Sequence, residues 1–512
     1  MLKSNFPMTK IIATLGPATS SVKIIERLIR EGARVFRINF SHGTFDEFDQ
    51  LIKNIREASK NTGAYVGILG DLSGPKIRVG KVIPEGVVLK KNMEVHFIKT
   101  EITGGSQSFG MTFSTTCPEM INEVKPGEKI LLDDGNIELK ALTVEGRGKK
   151  ATLTCKVMVG GLLTSSKGIN LPHTNLSLPS MTEKDFKCAK YAVEKKLDFL
   201  ALSFVRTAKD ISVLKNYLEN LHARPKGLNK TRGNPGFTTT YDDNYIPVIS
   251  KIEKPQAIDN LDEIVIESDG IMVARGDLGV EMDLAEVAIL QKDIIKMCKK
   301  HMKPVIVATQ MLQSMIHEPV PTRAEVSDVA NAIMDGADAV MLSGETAVGE
   351  YPAKAVKMMH RIAKNTHIYL KSERDTHGLF MPYEGLLNRK ATMARGVKMM
   401  TRDIQAKYII TWMHSGGSTV FLSQQHMEVP IIACGENTIL LQQLSLLHGV
   451  YPVFMKQPLS GSQFIAAVNK MLIDHKWAKD GDPVIVVASS PITHRGITNR
   501  LVIHSVGEQI KE

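Results

Sequence analysis

Short apolar runs and segments of helical period alternate along most of the chain. The β-branched run from Thr9 to Leu15 precedes SSVKIIERLIREG, a helical segment opened by Ser and closed by Gly32. ARVFRINFSHG, the helix FDEFDQLIKNIREASKNTG and then YVGILGDL follow. The pattern breaks from about Gly74 to Ser166. There VVLKKNMEVHFIKT, KILLDDGNIELKALTV and ATLTCKVMVGG read as short strands between Gly, Pro and Asn/Asp turns, an all-β insertion. Alternation resumes with MTEKDFKCAKYAVEKK and LDFLALSFV, then AKDISVLKNYLENL and an aperiodic polar loop at about 223–245. IPVISKIE, GIMVARGD, KPVIVATQ and DAVMLSGE are further strands, each paired with a helical segment.

The strands of parallel type fall near residues 10–15, 34–39, 65–71, 199–204, 247–253, 270–275, 304–309 and 338–343. Eight β/α units in a row predict a (β/α)8 TIM barrel, with the β insertion placed after the third strand, on the C-terminal face. A helix ending near Lys364 leads to a second α/β region. KYIITWM, PIIACGE, YPVFMK, PVIVVAS and LVIHSVG give it a five-stranded sheet. The expected α/β organisation is therefore a barrel of residues 1–74 and 166–365, an inserted all-β domain of 75–165, and a C-terminal α/β domain of 366–512.

Composition narrows the class. Of 512 residues, 43% are hydrophobic and 23% charged, which rules out a collagen, a coiled coil or a mostly disordered chain. There is no apolar run of about 18 residues, and MLKSNFPMTKIIATLGPAT carries no secretory pattern, so a cytoplasmic protein with no membrane partner is expected. Cys117, Cys155, Cys188, Cys298 and Cys434 form no CxxC pair and read as buried, reduced thiols. A net charge of +10 with only 5% aromatics fits attraction of anionic metabolites better than a nucleic-acid groove.

Polar residues at the C-terminal ends of barrel strands are the candidate chemistry. Arg37 and Asn39 end the second strand, with Ser41 and His42 beyond. Asp71 ends the third and Ser203 the fourth; Lys251 and Glu253 end the fifth, and Arg275 and Asp277 the sixth. Thr309 and Gln310 end the seventh, and Ser343 and Glu345 the eighth. Glu253 and Asp277, on adjacent strands, either share a divalent cation such as Mg²⁺ or Mn²⁺ or are salt-bridged to Lys251 and Arg275. Lys251 either stabilises a developing oxyanion or serves as counter-ion to Glu253. The turn from Ala274 to Gly279 offers backbone N–H groups, Gly276 and Asp277 among them, to a small anion, with Thr309 as hydroxyl partner. Arg37, Arg78 and His42 add positive charge suited to phosphate. Neither GxxxxGK[ST] nor a GxGxxG at a strand–helix junction is present. HSGGST, from His414 to Thr419, is either a phosphate cradle or a tight turn with a helix cap.

Taken together, RVFRINFSHG, GDLSGPKIRVG, LLDDGNI, KGINLP, SKIEKP, MVARGDLG, VATQMLQSM, PTRAEVSDVANAI and MLSGETAVGEYP resemble the pyruvate kinase family, in order, over essentially the whole chain. The resemblance implies transfer of a phosphoryl group from phosphoenolpyruvate to ADP, giving pyruvate and ATP in glycolysis. It also implies that the β insertion is a lid, that the C-terminal domain is regulatory, and that the protein is a homotetramer. By position, Glu253 and Asp277 match the divalent-metal ligands, and Lys251 the lysine that stabilises the transition state. Arg37 matches the arginine near the phosphoryl group. Thr309, with the backbone of Gly276 and Asp277, matches the phosphoenolpyruvate carboxylate site, and Ser343 joins the substrate rim. Arg78, Lys167 and the Asn39–His42 turn match nucleotide-binding positions.

Two departures modify the expectation. DLSGPKIR stands where many members read DTKGPEIR. The family's K⁺ site uses positions matching Asn39, Ser41, Asp71 and the Leu72 carbonyl, and Lys76 could supply the charge instead, making K⁺ dispensable. The C-terminal segments resemble the bacterial subgroup activated by AMP or sugar monophosphates, which assigns Ser415, Gly416, Gly417, Ser418 and Thr419 to an effector phosphate. The competing expectations are a metal-dependent barrel lyase acting on pyruvate or phosphoenolpyruvate, and a non-catalytic metabolite- or RNA-binding scaffold.

Overall fold

In the computed structural model, which describes residues 7–108, 110–224, 245–373, 389–494 and 498–508, the eight expected strands close into a barrel. They are Lys10–Thr14, Ala33–Asn39, Gly67–Asp71, Phe199–Leu202, Val248–Ile252, Gly270–Ala274, Val305–Ala308 and Ala339–Leu342. Each is parallel to its neighbours, and the eighth pairs with the first. The two-residue period of a strand sorts their side chains. Ile12, Val35, Leu69, Ile249, Met272 and Ile306 are buried together in one cluster. Ile11, Phe36, Ile68, Val248, Ile271 and Val305 belong to another, with the helix residues Ile25, Leu28 and Ile294. The first set fills the barrel and the second glues it to its helices.

Between the third and fourth barrel strands the chain builds a seven-stranded sheet, in which Ile169–Asn170 is an edge strand, and a two-stranded sheet of Val87–Leu89 with Gly161–Leu163. These strands have a core of their own, including Val95, Phe97, Phe113, Leu139 and Leu153. The C-terminal five-stranded sheet runs in the order Val450–Phe454, Ile431–Gly435, Tyr408–Trp412, Pro483–Ala488, Arg500–Ser505. The last strand alone is antiparallel.

The C-terminal sheet domain sits against the N-terminal ends of the barrel strands. Lys10 donates to the Val450 carbonyl at 2.7 Å, Ser445 to the Arg34 carbonyl at 3.1 Å, and Gln424 to Asp338 at 3.0 Å. The opposite mouth, where the strands' C-terminal ends lie, stays free for a site. One helix differs from its expected extent: it spans Pro352–Glu373 rather than stopping near Lys364, because KNTHIYLKSE contains no Gly or Pro to end it. The polar loop expected at about 223–245 lies, for residues 225–244, outside the described residues. All five cysteines are buried free thiols.

Candidate active site

Inner-face alternation continues past the apolar layers to the ends of the strands. Ile249 is followed on its face by Lys251 and Glu253, Val35 by Arg37 and Asn39, Leu69 by Asp71, and Ala201 by Ser203. The register sets Asn39 opposite Asp71, and Asp71 opposite Ala201. The result is a buried cluster. Lys251 Nζ lies 2.8 Å from Glu253 Oε1 and 3.5 Å from Asp71 Oδ1, and donates to Ser203 Oγ at 2.9 Å. Arg37 Nε donates to Asp71 Oδ2 at 2.6 Å, and its Nη1 to Thr14 Oγ1 at 3.2 Å. Glu253 Oε2 accepts the Phe204 N–H at 2.8 Å.

Charge in this cluster follows from burial and pairing. Burial disfavours the Lys251 ammonium, but Asp71 and Glu253 outweigh it and hold the group above the ordinary lysine range. Burial also works against the Asp71 carboxylate, yet Lys251 and Arg37 keep it below the usual carboxylate range. Glu253 is pushed up, first by burial and further by the charge of Asp277, although Lys251 pulls the other way. Glu253 and Asp277 are both hard oxygen donors, and the charge of one acts on the other, so the pair forms a donor set that fits a divalent cation.

Asp277 does not end a strand. It lies in the first turn of the helix Arg275–Glu281, half-buried. The alternative in which Arg275 neutralises it is not what forms. Arg275 Nη1 instead pairs with Asp328 at 2.7 Å, and Nη2 donates to the Thr309 carbonyl at 3.0 Å. Thr309 and Gln310 both take positive φ, +69° and +53°. That bend brings Thr309 Oγ1 to the Gly276 N–H at 2.7 Å. Glu345, fully buried, accepts the Ser343 N–H at 2.7 Å and the Leu312 N–H at 3.0 Å, so it braces the turns after the seventh and eighth strands.

A cleft of about 400 Å³ opens between the barrel mouth and the inserted sheet. Lys76, Arg78 and Lys167 line it from the insertion, whose sheet runs on through Ile169–Asn170 past the expected boundary at 165, and Phe204, Lys254 and Asp277 line it from the barrel. Arg78 donates to the Ser166 carbonyl at 2.7 Å, and Lys167 pairs with Asp133 at 2.6 Å. Burial lowers the His42 pKa, and the charges of Lys76, Arg78, Lys184 and Arg37 lower it further, which marks this corner as electropositive. Asn39 accepts the Ser41 N–H at 3.1 Å, Ser41 meets Ser73 at 3.0 Å, and the Leu72 carbonyl accepts from Ser203 at 2.7 Å.

In the C-terminal domain, Gly416 has φ +77° and caps the helix Gly417–Gln424. Ser415, Gly416, Gly417 and Ser418 line a small pocket with Ser489 and Thr498, and Ser418 hydrogen-bonds Thr498. The Thr419 hydroxyl is buried against that of Thr411 at 3.0 Å.

Three contributors did not stand out in the sequence. Thr14 and Phe204 enter the site through contacts with Arg37 and Glu253, and Lys254 enters it by lining the cleft. Lys254 alone carried a local signal, as the residue after Glu253.

The family profile described as pyruvate kinase, barrel domain, matches residues 6–356, and the profile described as pyruvate kinase, alpha/beta domain, matches residues 391–504. The pyruvate kinase of Corynebacterium glutamicum is 36% identical over 504 residues, covering 98% of both chains. That of Geobacillus stearothermophilus is 37% identical over 505 residues, covering 98% of this chain and 80% of its own. That of Mycobacterium intracellulare is 36% identical over 500 residues, covering 98% of both. The chain belongs to the pyruvate kinase family. Among the described residues no helix is long and apolar enough to cross a membrane.

Proposed function

We propose that this member of the pyruvate kinase family transfers the phosphoryl group of phosphoenolpyruvate to ADP at the barrel mouth. The observation that carries the reading is Lys251, held charged between Asp71 and Glu253 beside Arg37. Glu253 and Asp277 would hold a divalent cation, Mg²⁺ or Mn²⁺, which when bound neutralises charge on the substrate oxygens.

The residues divide the work. Thr309 and the Gly276 and Asp277 backbone receive the substrate carboxylate, with Ser343 on the rim. Arg37 offers its guanidinium to the phosphoryl group. Asn39, His42, Arg78 and Lys167 bind the nucleotide in the electropositive corner. As a β-phosphate oxygen of ADP forms its bond to phosphorus, the bond from phosphorus to the enol oxygen breaks, and its electron pair stays on that oxygen. The Lys251 ammonium faces that charge in a site where water cannot compete. A proton then adds to the methylene carbon, through water held near Thr309, and gives pyruvate. Closure of the inserted sheet would exclude water from the phosphoryl acceptor.

Lys76 lines the cleft and its charge reaches His42, which supports a protein ammonium in place of a monovalent cation. The test is pyruvate formation from phosphoenolpyruvate, ADP and Mg²⁺ in K⁺-free, tetraalkylammonium buffer. Activity is expected there; activity only on adding K⁺ would remove the Lys76 argument, and none under either condition would remove the reaction. ADP dependence separates this reading from a lyase.

Ser415 to Ser418, with Thr419 contributing backbone because its hydroxyl is turned onto Thr411, are proposed to hold the phosphate of AMP or a sugar monophosphate. The pocket they line with Ser489 and Thr498 supports this. Ser418→Ala should abolish activation by these compounds, and unchanged activation by every one of them would sink the assignment. A cytoplasmic homotetramer belongs to the same proposal, and light scattering reads the assembly directly.

A further inference from the structure

Phe204 holds a backbone conformation that bulky residues rarely adopt. Its φ is +55°, in the left-handed region where the Cβ of an L-residue crowds the neighbouring carbonyl. It follows Ser203 at the end of the fourth barrel strand, and this turn delivers two contacts to the charged cluster. Ser203 Oγ accepts from Lys251 at 2.9 Å, and the Phe204 N–H donates to Glu253 Oε2 at 2.8 Å.

The turn cannot relax freely. Beyond it, Val205 is fully buried and the Arg206 N–H donates to Asp210 at 2.9 Å. The Arg206 guanidinium donates to the Leu176 and Leu178 carbonyls, each at 2.9 Å. With the following chain pinned, a return of φ to negative values would swing the N–H off Glu253. The Phe204 ring is packed against its neighbours. It packs over Gly74 so closely that a Cβ on that glycine would lie 2.8 Å from it, and Lys254 Nζ stands 5.8 Å from its centroid. Strain kept by its surroundings next to reacting groups is a recurrent sign of a functional constraint.

We infer that Phe204 is a positioning residue for Glu253: its anchored ring maintains the left-handed turn that aims its N–H at the carboxylate. The orientation in which Glu253 meets a divalent cation is thereby fixed. The inference rests on the proposed reading of Glu253 as a cation ligand.

The test is Mn²⁺ titrated into the full metal-free chain without substrates, with free Mn²⁺ read by electron paramagnetic resonance. Glu253→Gln serves as the reference for that reading. Phe204→Ala leaves the strain without its anchor and is expected to weaken Mn²⁺ binding about tenfold. Phe204→Gly accepts positive φ without strain, and Phe204→Tyr keeps the ring, so both should stay within about twofold of the original chain. Gly74→Ala presses on the ring from outside the turn and also strains the +65° φ of Gly74 itself, so it is read beside the double variant of Gly74→Ala with Phe204→Gly: weakening that Phe204→Gly relieves is the ring's, and this pair covers the case in which Phe204→Ala does not fold. In assays, Phe204→Ala should raise the Mg²⁺ needed for half-activation while kcat at saturating Mg²⁺ changes less than about threefold.

Unchanged Mn²⁺ binding in Phe204→Ala and Gly74→Ala, with loss in Glu253→Gln, overturns the inference alone. So does Phe204→Gly as weak as Phe204→Ala, since the backbone conformation then carries nothing. Mn²⁺ binding that is absent in the original chain, or undiminished in Glu253→Gln, overturns the reading of Glu253 first.

Discussion

At Lys251 two buried carboxylates meet one ammonium, and the balance decides its charge. The ammonium is 2.8 Å from Glu253 and 3.5 Å from Asp71, and both keep the proton on it. Replacing it by Met keeps the bulk and removes the charge that would face the enolate oxygen. Lys251→Met should therefore lower kcat by at least about a hundredfold, the scale of losing one preorganised oxyanion partner, with little change in KM for phosphoenolpyruvate. Steady-state kinetics read both, and a kcat loss of less than about tenfold would take Lys251 out of that role. Lys251 and Glu253 were legible as residues because they sit two apart after a buried run. The third member of the cluster was legible only as a strand end: Asp71 was expected at a K⁺ site, and its pairing with Arg37 and Lys251 depends on neighbouring strands that the local pattern does not align.

Secondary elements act here through their ends. The helix Arg323–Asp335 is opened by a capping box in which Thr322 accepts the Glu325 N–H, and Glu325 reaches back to the Thr322 N–H at 2.8 Å. The same carboxylate takes the Ser314 N–H at 2.7 Å, so the cap stitches the helix to the segment that follows Thr309 and Gln310. Thr322→Ala should cost about 1 kcal/mol, the usual worth of a threonine cap. In a chain of this size that lowers the thermal midpoint by about 1 °C, read by calorimetry. No shift would mean that Glu325 holds the turn without the cap. The turn chemistry after the strands was less legible than the strands themselves. Asp277, expected at a strand end, opens a helix, because the backbone coils immediately after Ala274.

Across the whole molecule, the barrel's two mouths are used differently. At the C-terminal mouth Lys254 and Asp277 line the cleft, whereas charges near the other mouth, Lys10 and Asp338 among them, are buried under neighbouring structure. Lys303 belongs to the second group: its ammonium donates to the Ser268 carbonyl at 2.6 Å, and burial lowers its pKa to about 8. The unfolded chain then binds more protons at this site than the folded one at any pH between about 8 and the ordinary lysine range near 10. Stability contributed here therefore rises with pH across that window. Measured against Lys303→Met by denaturant unfolding, the original chain should gain relative stability from about pH 8 to about pH 10. A flat difference would mean that Lys303 keeps its charge on folding.

The repeated strand–helix rhythm, the position of the β insertion, the second sheet and the identity of most polar strand ends follow from the order of residues alone. These features are periodic or local, and a two-residue or 3.6-residue repeat can be read without knowing what lies opposite. The tertiary structure decided which of those ends meet. Closure of the barrel brought Asp71 to Lys251 and Arg37, sent Arg275 to Asp328 rather than to Asp277, and turned the Phe204 N–H onto Glu253. Packing of the C-terminal sheet turned Thr419 inward onto Thr411. Such pairings join residues far apart in the chain, and their geometry is set by strand register, helix packing and burial acting together.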